Sequence, residues 1–168
     1  MPPRQSGRMN IRKAWEADRP AILEIILPVI REGATYALDT SMSEADALSY
    51  WMAGDKETFV AEDRGIVLGT YYIRPNQAGG GRHVCNCGYI TRAGAGGRGV
   101  ARRMCEHSLA YAASRGYRAM QFNLVVGTNE RAIHLWQSLG FQTIGRLPGA
   151  FQHPTFGYVD ALVMYRLL

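Results

Sequence analysis

The sequence predicts a single mixed α/β domain. Short apolar runs typical of strands alternate with segments of helical periodicity, and a glycine-rich turn joins a strand to a helix in mid-chain. The length of 168 residues fits one domain. Apolar residues make up 47% of the chain and charged residues 20%, which excludes the disordered and coiled-coil classes.

The first half of the chain is predicted to contain a strand, two helices and a hairpin. Apolar residues within 22–30 recur at helical spacing, and Gly33 ends that helix. Ser41 or Ser43 can cap the second helix. Two apolar runs flank residues 62–65, a pattern typical of an antiparallel hairpin. The predicted elements are a strand at 9–14, helices at 18–31 and 40–52, and strands at 58–61 and 66–73.

The second half alternates strands and helices. A strand at 83–91 leads into the glycine-rich residues 94–99, and a helix follows from Val100 until Gly116 stops it. A second helix begins after Gly127-Thr128 and ends at Gly140. The remaining predicted elements are a strand at 120–126, a strand at 141–144, a loop that holds Pro148, Gly149, Pro154 and Gly157, and a strand at 158–167.

Domain organisation and location follow from the ends of the chain and its cysteines. We expect residues 1–8 to be a disordered lead and residues 9–168 to form one domain. No apolar stretch reaches the ~18 residues that a membrane span needs. Three Cys do not make a disulfide framework, and no signal peptide is recognisable. We therefore expect a cytoplasmic protein without membrane association.

The glycine-rich turn is a candidate anion site, because the first N–H groups of a helix lack partners inside the helix. Gly94, Gly96 and Gly99 satisfy G-x-G-x-x-G, but a dinucleotide fold would need an acidic residue about 20 positions on, and none lies near Met120. A P-loop is excluded because Val100-Ala101 stand where Lys-Ser or Lys-Thr is required. Residues 82–103 carry five Arg and no Asp or Glu, which equals the formal net charge of +5 of the whole chain. That charge suits one phosphorylated cofactor.

Two motifs at the expected separation resemble those of the Gcn5-related N-acetyltransferase (GNAT) superfamily. Gly97-Arg98-Gly99-Val100-Ala101 resembles its acetyl-coenzyme A motif, with Gly96 where Arg or Gln is usual. Residues 129–141 resemble its Asn-x-x-Ala-x-x-Leu-Tyr-x-x-x-Gly-Phe segment, with Trp136 at the Tyr position.

The resemblance implies a fold, a reaction and a cofactor site. The fold would be one mixed, mostly antiparallel sheet of six to seven strands flanked by about four helices. The reaction would be transfer of the acetyl group of acetyl-CoA to a primary amine of a small molecule or peptide by direct attack on the thioester. The implied cofactor contacts are Tyr89, Ile90 and Thr91 for the pantetheine arm, Gly97, Arg98, Gly99, Val100, Ala101 and Arg102 for the pyrophosphate, and Asn129.

Acyl transfer to an amine also needs a neutral nucleophile and a proton for the leaving thiolate. Since an indole N–H is too weak an acid, Trp136 cannot replace the usual Tyr. Tyr158 and Tyr89 are the candidate acids, each of which can instead merely line the pocket. His83 is the candidate base among Glu62, His83, His153 and Asp160, because it lies on the strand that leads to the cofactor and histidine side chains suit proton transfer near neutral pH. Residues 151–160 could form an acceptor wall or a loop held by its own hydrogen bonds.

Two other function classes remain open. One is a basic module that binds nucleic acid, which is disfavoured because the positive residues crowd one loop and helix start instead of forming a broad stripe. The other is a GNAT-like sensor that binds CoA without turnover, which the missing Tyr would explain. No metal is expected, because His83, Cys85 and Cys87 are too far apart on a strand to share an ion. The acceptor is not predicted, and a homodimer is possible.

Overall fold

Seven strands form one sheet in the computed structural model, which describes residues 9–168. The predicted lead at 1–8 lies outside these residues. The strands are β1 (Asn10–Lys13), β2 (Glu57–Asp63), β3 (Ile66–Pro75), β4 (Val84–Thr91), β5 (Ala119–Val126), β6 (Gln142–His153) and β7 (Gly157–Leu167). The helices are α1 (Arg19–Glu32), α2 (Glu44–Met52), α3 (Val100–Ser114) and α4 (Glu130–Ser138), with short 3-10 turns at Glu16–Asp18 and Gly79–Gly81. The predicted α/β class, strand number and helix number are confirmed.

The sheet is antiparallel except at its centre. The strand order is β1-β2-β3-β4-β5-β7-β6, and β4 runs parallel to β5. These two strands pair only at Val84 with Ala119 and at Cys85 with Met120. Beyond that point they separate, so the sheet opens into a V toward the carboxyl ends of both strands.

Local sequence signals set the helix and turn boundaries. Gly33 ends α1 in the left-handed conformation at φ 66°, as a C-terminal glycine does. Ser43 is the cap of α2, since its side chain accepts a hydrogen bond from the Asp46 N–H. Arg64 and Gly65 both have positive φ and close the tight turn between β2 and β3.

Two apolar layers pack on opposite faces of the sheet. The first, around α1 and α2, contains the fully buried Ile22, Ile26 and Trp51. The second, around α3 and α4, contains Met104 and Met120, also fully buried, and the more accessible Trp136. Both faces of the central strands are therefore covered, which accounts for their nearly continuous apolar sequence.

The prediction of a loop from residue 145 to residue 157 between the last two strands is wrong over most of its length. β6 continues from Gln142 to His153 and pairs with β7, with irregularities between Thr143 and Gly145 and between Leu147 and Phe151. Pro148 and Gly149 lie in the second irregularity. Because β6 is the edge strand of the sheet, a proline and a bulge are tolerated there without loss of an inner ladder.

Candidate functional site

A cleft of about 760 Å³ occupies the V between β4 and β5. One part, which we call the glycine end, is formed by the glycine-rich loop, the first turn of α3 and the start of α4. The other part, the tyrosine end, is formed by the connection between α1 and α2, by Tyr50 of α2 and by Tyr72 of β3. The polar and aromatic lining residues are Thr35, Tyr36, Tyr50, Tyr72, Asn86, Tyr89, Thr91, Arg102, Phe122, Asn123, Asn129, Arg131 and Trp136.

The edge of β4 connects the two ends. The Leu68 carbonyl accepts a hydrogen bond from the Arg92 N–H, and the Val84 carbonyl accepts one from the Asn76 N–H. Even-numbered residues of β4 therefore pair with β3, and the main-chain groups of Tyr89 and Thr91 face the cleft. The main-chain groups of Ile90 face β3 instead, while its side chain is buried against the α1 and α2 layer.

The glycine end exposes main-chain N–H groups. Gly94, Gly97 and Gly99 have φ of 83°, 77° and 73°, a region that favours glycine, and a Cβ built on any of them would meet nothing within 4 Å. The turn ends at Gly99, and α3 begins at Val100. The N–H groups of Val100, Ala101 and Arg102 lack carbonyl partners inside the helix and, with the helix dipole, favour an anion.

The arginine side chains near the glycine end differ in their partners and in whether they line the cleft. Arg102 lines the cleft and donates to Ser138 Oγ of α4 at 2.7 Å. Arg98 points toward the β2–β3 hairpin, where it pairs with Asp63 at 2.9 Å, so only its main chain stays in the glycine loop. Arg131 of α4 also lines the cleft, although no motif singled it out. Asn129 caps α4 by accepting the Ala132 N–H.

Tyr89 and Trp136 pack against each other on one wall of the cleft, with ring centroids 5.1 Å apart. The Ser108 hydroxyl donates to the Cys105 carbonyl, so the Tyr89 hydroxyl must donate its own proton to Ser108 Oγ at 2.6 Å. Burial raises the pKa of Tyr89 well above its usual value. Trp136 also contacts Phe122, at a centroid distance of 5.1 Å, and is 9% exposed. Both residues are thus anchored in the apolar layer around α3 and α4.

The tyrosine end is assembled from three separate elements. Tyr36 follows α1 and donates from its hydroxyl to the Tyr89 carbonyl at 3.0 Å. The hydroxyls of Tyr50 and Tyr72 are 3.4 Å apart. Burial raises the pKa of Tyr36 and of Tyr72, so both phenols are neutral at physiological pH. Sequence analysis missed these three residues, because they lie on different elements and share no motif.

The structure does not bring the other candidate residues into the cleft. His83 is exposed just before β4, and Tyr158 is 74% exposed on the β6–β7 hairpin. Neither lines the cleft, and neither do Glu62, His153 or Asp160. Residues 151–160 form the tip of the β6–β7 hairpin and do not line the cleft, so they do not form the expected acceptor wall. Within residues 9–168, the cleft lining holds no carboxylate and no imidazole.

The described part of the chain groups no metal ligands and contains no helix that could span a membrane. Among residues 9–168, no three His, Cys, Asp or Glu side chains are grouped as metal ligands would be. Cys85 and Cys87 are buried, whereas His83 is exposed. None of the four helices has the length and apolar character that crossing a bilayer requires, as far as residues 9–168 are concerned.

Comparison with known proteins adds evidence independent of this geometry. The model of the acetyltransferase (GNAT) family matches residues 23–141. The N-acetyltransferase aca1 of Schizosaccharomyces pombe is 30% identical over 151 residues, which are 80% of this chain and 72% of that protein.

Solved structures agree with this similarity. A GCN5-related N-acetyltransferase from Kribbella flavida is 44% identical with a TM-score of 0.91, over 95% of this chain and 98% of that one. A phosphinothricin acetyltransferase from Sinorhizobium meliloti, solved in complex with acetyl-CoA, is 23% identical with a TM-score of 0.83, over 95% and 88% of the two chains. At that identity the second likeness concerns the fold.

Proposed function

The chain belongs to the acetyltransferase (GNAT) family, and from this premise we propose that it transfers the acetyl group of acetyl-CoA to the primary amine of a small molecule or peptide. One observation carries the proposal: a single cleft runs from an anion-binding helix start, along a free strand edge, to a tyrosine-lined chamber. The first part suits a phosphorylated cofactor, and the last suits an acceptor.

The residues of the glycine end fit the cofactor. Gly97, Gly99 and the first turn of α3 offer N–H groups to a pyrophosphate, and Arg102 and Arg131 add positive charge. The main-chain groups of Thr91 face the cleft and can pair with the amides of a pantetheine arm, whereas the Tyr89 carbonyl already accepts a hydrogen bond from the Tyr36 hydroxyl. Ile90 contributes packing, Asn129 holds α4, and Arg98 contributes its N–H rather than its side chain.

Acetyl-CoA supplies an acetyl group activated as a thioester. The acceptor nitrogen forms a C–N bond while the C–S bond breaks, the nitrogen loses one proton, and the leaving thiolate gains one. The Tyr89 N–H faces the cleft and is the group we assign to the carbonyl oxygen of the thioester, since a fixed donor favours the charge that develops there.

Proton transfer is assigned to water rather than to a side chain. No carboxylate or imidazole lines the cleft within residues 9–168, and the Tyr89 proton is committed to Ser108. We propose that the acceptor reacts as the free amine and that the thiolate is protonated by solvent. His83 and Tyr158, the candidates from sequence, would act only if the chain around them moved.

Two measurements test the proposed function. Calorimetry with acetyl-CoA should give measurable binding, and release of CoA should follow addition of amines from a panel of amino acids, polyamines and peptides. Absence of acetyl-CoA binding would contradict the proposal. Binding without acetylated product from any amine would instead favour the CoA-binding sensor.

We also propose a homodimer formed through the β6–β7 hairpin. This hairpin exposes Ile144, Leu147, Phe156 and Tyr158, with exposed fractions of 58, 40, 66 and 74%. Long apolar edge strands of this kind are usually covered by a partner. Light scattering should give twice the chain mass, and Phe156→Ser should reduce it to one chain mass. An unmodified chain that is monomeric at high concentration would contradict the dimer.

The cytoplasm is the location we propose. The buried Cys85, Cys87 and Cys105 all have free thiols, which suits a reducing compartment. If cells are lysed directly into denaturant that contains an alkylating reagent, all three cysteines of the protein should be alkylated.

A further inference from the structure

Two cations lie beside the tyrosine end, outside the cleft lining itself. The Lys56 ammonium is 4.4 Å from the ring centroid of Tyr50 and 5.4 Å from that of Tyr72, and both rings line the cleft. Arg74 follows Tyr72 by two residues in β3 and so has its side chain on the same face. Its register partner in β4 is Asn86, which also lines the cleft.

Strand register brings the two cations together. Glu57 pairs with Ile73, so extending the β2–β3 ladder by one residue places Lys56 opposite Arg74. Burial and the neighbouring Arg74 charge lower the pKa of Lys56, while the nearby Asp55 carboxylate partly offsets them, which agrees with that placement. Like charges side by side repel each other, and an anion between them relieves the repulsion.

The pair retains unused hydrogen-bonding capacity. Arg74 Nε is buried and has no hydrogen-bond partner in the described chain, which is uncommon for a buried donor. Its Nη2 contacts Asp55 at 3.2 Å, and the side chains of Arg74 and Asp55 are 37% and 50% exposed, respectively. An exposed pair of this kind contributes little and can be replaced by another oxyanion.

We propose that Lys56 and Arg74 bind a carboxylate carried by the acceptor, so that the acceptor is an amino acid or another small amine with a carboxylate. This assignment rests on the proposed function. The guanidinium and the ammonium donate to the carboxylate oxygens, and the amine extends past Tyr72 toward the β4 edge. The cleft lining within residues 9–168 holds no carboxylate that would attract a polyamine or a lysine-rich peptide.

The test compares acceptors with and without a carboxylate, each at a pH above the pKa of its amine so that all react as free amines. With acetyl-CoA saturating, CoA release is measured for the common L-amino acids, for their α-carboxamides and for spermidine. We expect the best amino acid to exceed its carboxamide by about tenfold or more in kcat/KM, as charge-assisted hydrogen bonds imply.

Variants identify the residues responsible. Lys56→Gln and Arg74→Gln should each raise the KM for the amino acid by about tenfold, with KM for acetyl-CoA unchanged, and the acid-to-amide ratio should approach one in the double variant. Arg74→Lys, which keeps the charge, should restore part of the preference. Arg19→Gln, at the start of α1 and outside the cleft lining, is the matched control and should keep the ratio. If Lys56 and Arg74 had only a structural role, the variants would lower kcat/KM equally for the amino acid and for its carboxamide.

The outcomes separate this inference from the function beneath it. Equal rates for acids and amides, a preference for spermidine, or no reaction with any carboxylate-bearing amine while acetyl-CoA binds would each overturn the anion site. Failure of acetyl-CoA itself to bind would overturn the proposed function instead.

Discussion

The Tyr36 hydroxyl donates a hydrogen bond of 3.0 Å to the main-chain carbonyl oxygen of Tyr89. The Tyr36 ring also meets Trp51 edge-on, with centroids 5.9 Å apart. Trp51 is fully buried and donates to Thr70 Oγ1 at 3.0 Å. The connection between α1 and α2 is therefore held against the strand edge that crosses the cleft, and its position sets the width of the tyrosine end.

Tyr36→Phe should impair use of the acceptor more than use of the cofactor. The ring remains, but one hydrogen bond that contributes about 1 kcal/mol is lost, so we expect the acceptor KM to rise about fivefold. Calorimetry should give an unchanged affinity for acetyl-CoA. Tyr111→Phe removes a hydroxyl that donates to Glu57 at 2.6 Å outside the cleft, and it should leave the acceptor KM unchanged. An equal rise of the acceptor KM in Tyr36→Phe and Tyr111→Phe would contradict a role of the Tyr36 hydroxyl in acceptor binding.

Gly99→Glu should abolish binding of acetyl-CoA. Gly99 has φ 73° and precedes the first turn of α3, so a carboxylate there combines backbone strain with repulsion of an anion. Gly54→Glu is the matched control, because Gly54 has φ 71°, lies in open space and does not line the cleft. Both variants should lose about 1 kcal/mol of unfolding free energy. Retained affinity in Gly99→Glu would place the pyrophosphate elsewhere.

Trp136→Tyr should raise turnover while lowering stability. The substitution leaves a void beside Phe122 and Tyr89, for which we expect a loss of about 1 to 3 kcal/mol. It also supplies a hydroxyl that can protonate the thiolate. Trp136→Phe is the control, because it creates a similar void without the hydroxyl. A kcat that rises in neither variant, or equally in both, would contradict proton donation at this position.

The pH dependence of catalysis should follow the acceptor rather than the protein. Without a carboxylate or imidazole in the cleft lining of residues 9–168, log kcat/KM should rise with unit slope up to the pKa of the acceptor amine. Acceptors of different pKa should shift the profile accordingly. His83→Gln and Tyr158→Phe should leave the profile unchanged. A large loss in either variant would restore the candidate acid or base expected from sequence.

His107 should make unfolding free energy depend on pH. Its Nδ1 lies 2.7 Å from the Tyr71 hydroxyl, and burial lowers the pKa of His107 below its ordinary value near 6.5. As the pH falls, His107 therefore binds a proton in the unfolded chain before it does so in the folded protein. Its contribution to the unfolding free energy is complete above the pKa that His107 has in the unfolded chain, and it declines as the pH falls toward the lower pKa in the folded protein. Denaturant titrations at several pH values should record that slope, and His107→Gln should reduce it. Substitution of the exposed His134 by Gln is the control and should leave that slope as it is.

Much of the architecture was predictable because it depends on local patterns. Ser43 and Gly33 mark helix ends through their own backbone and side-chain preferences, and the hairpin at Arg64-Gly65 follows from its turn residues. The glycine loop before Val100 was predictable for the same reason. The extension of β6 was not, since Pro148 and Gly149 usually end strands and only an edge position tolerates them.

The order of the elements, the helix start that favours an anion and the family motifs can be read from the amino-acid sequence, because each resides in a contiguous segment. The point where β4 and β5 separate emerges only in the folded chain, since it depends on pairing between distant segments. Folding likewise brings Tyr36, Tyr50 and Tyr72 to one chamber and leaves His83 and Tyr158 outside it. Side chains converge according to sheet register and packing across the fold, and neither is encoded in local spacing.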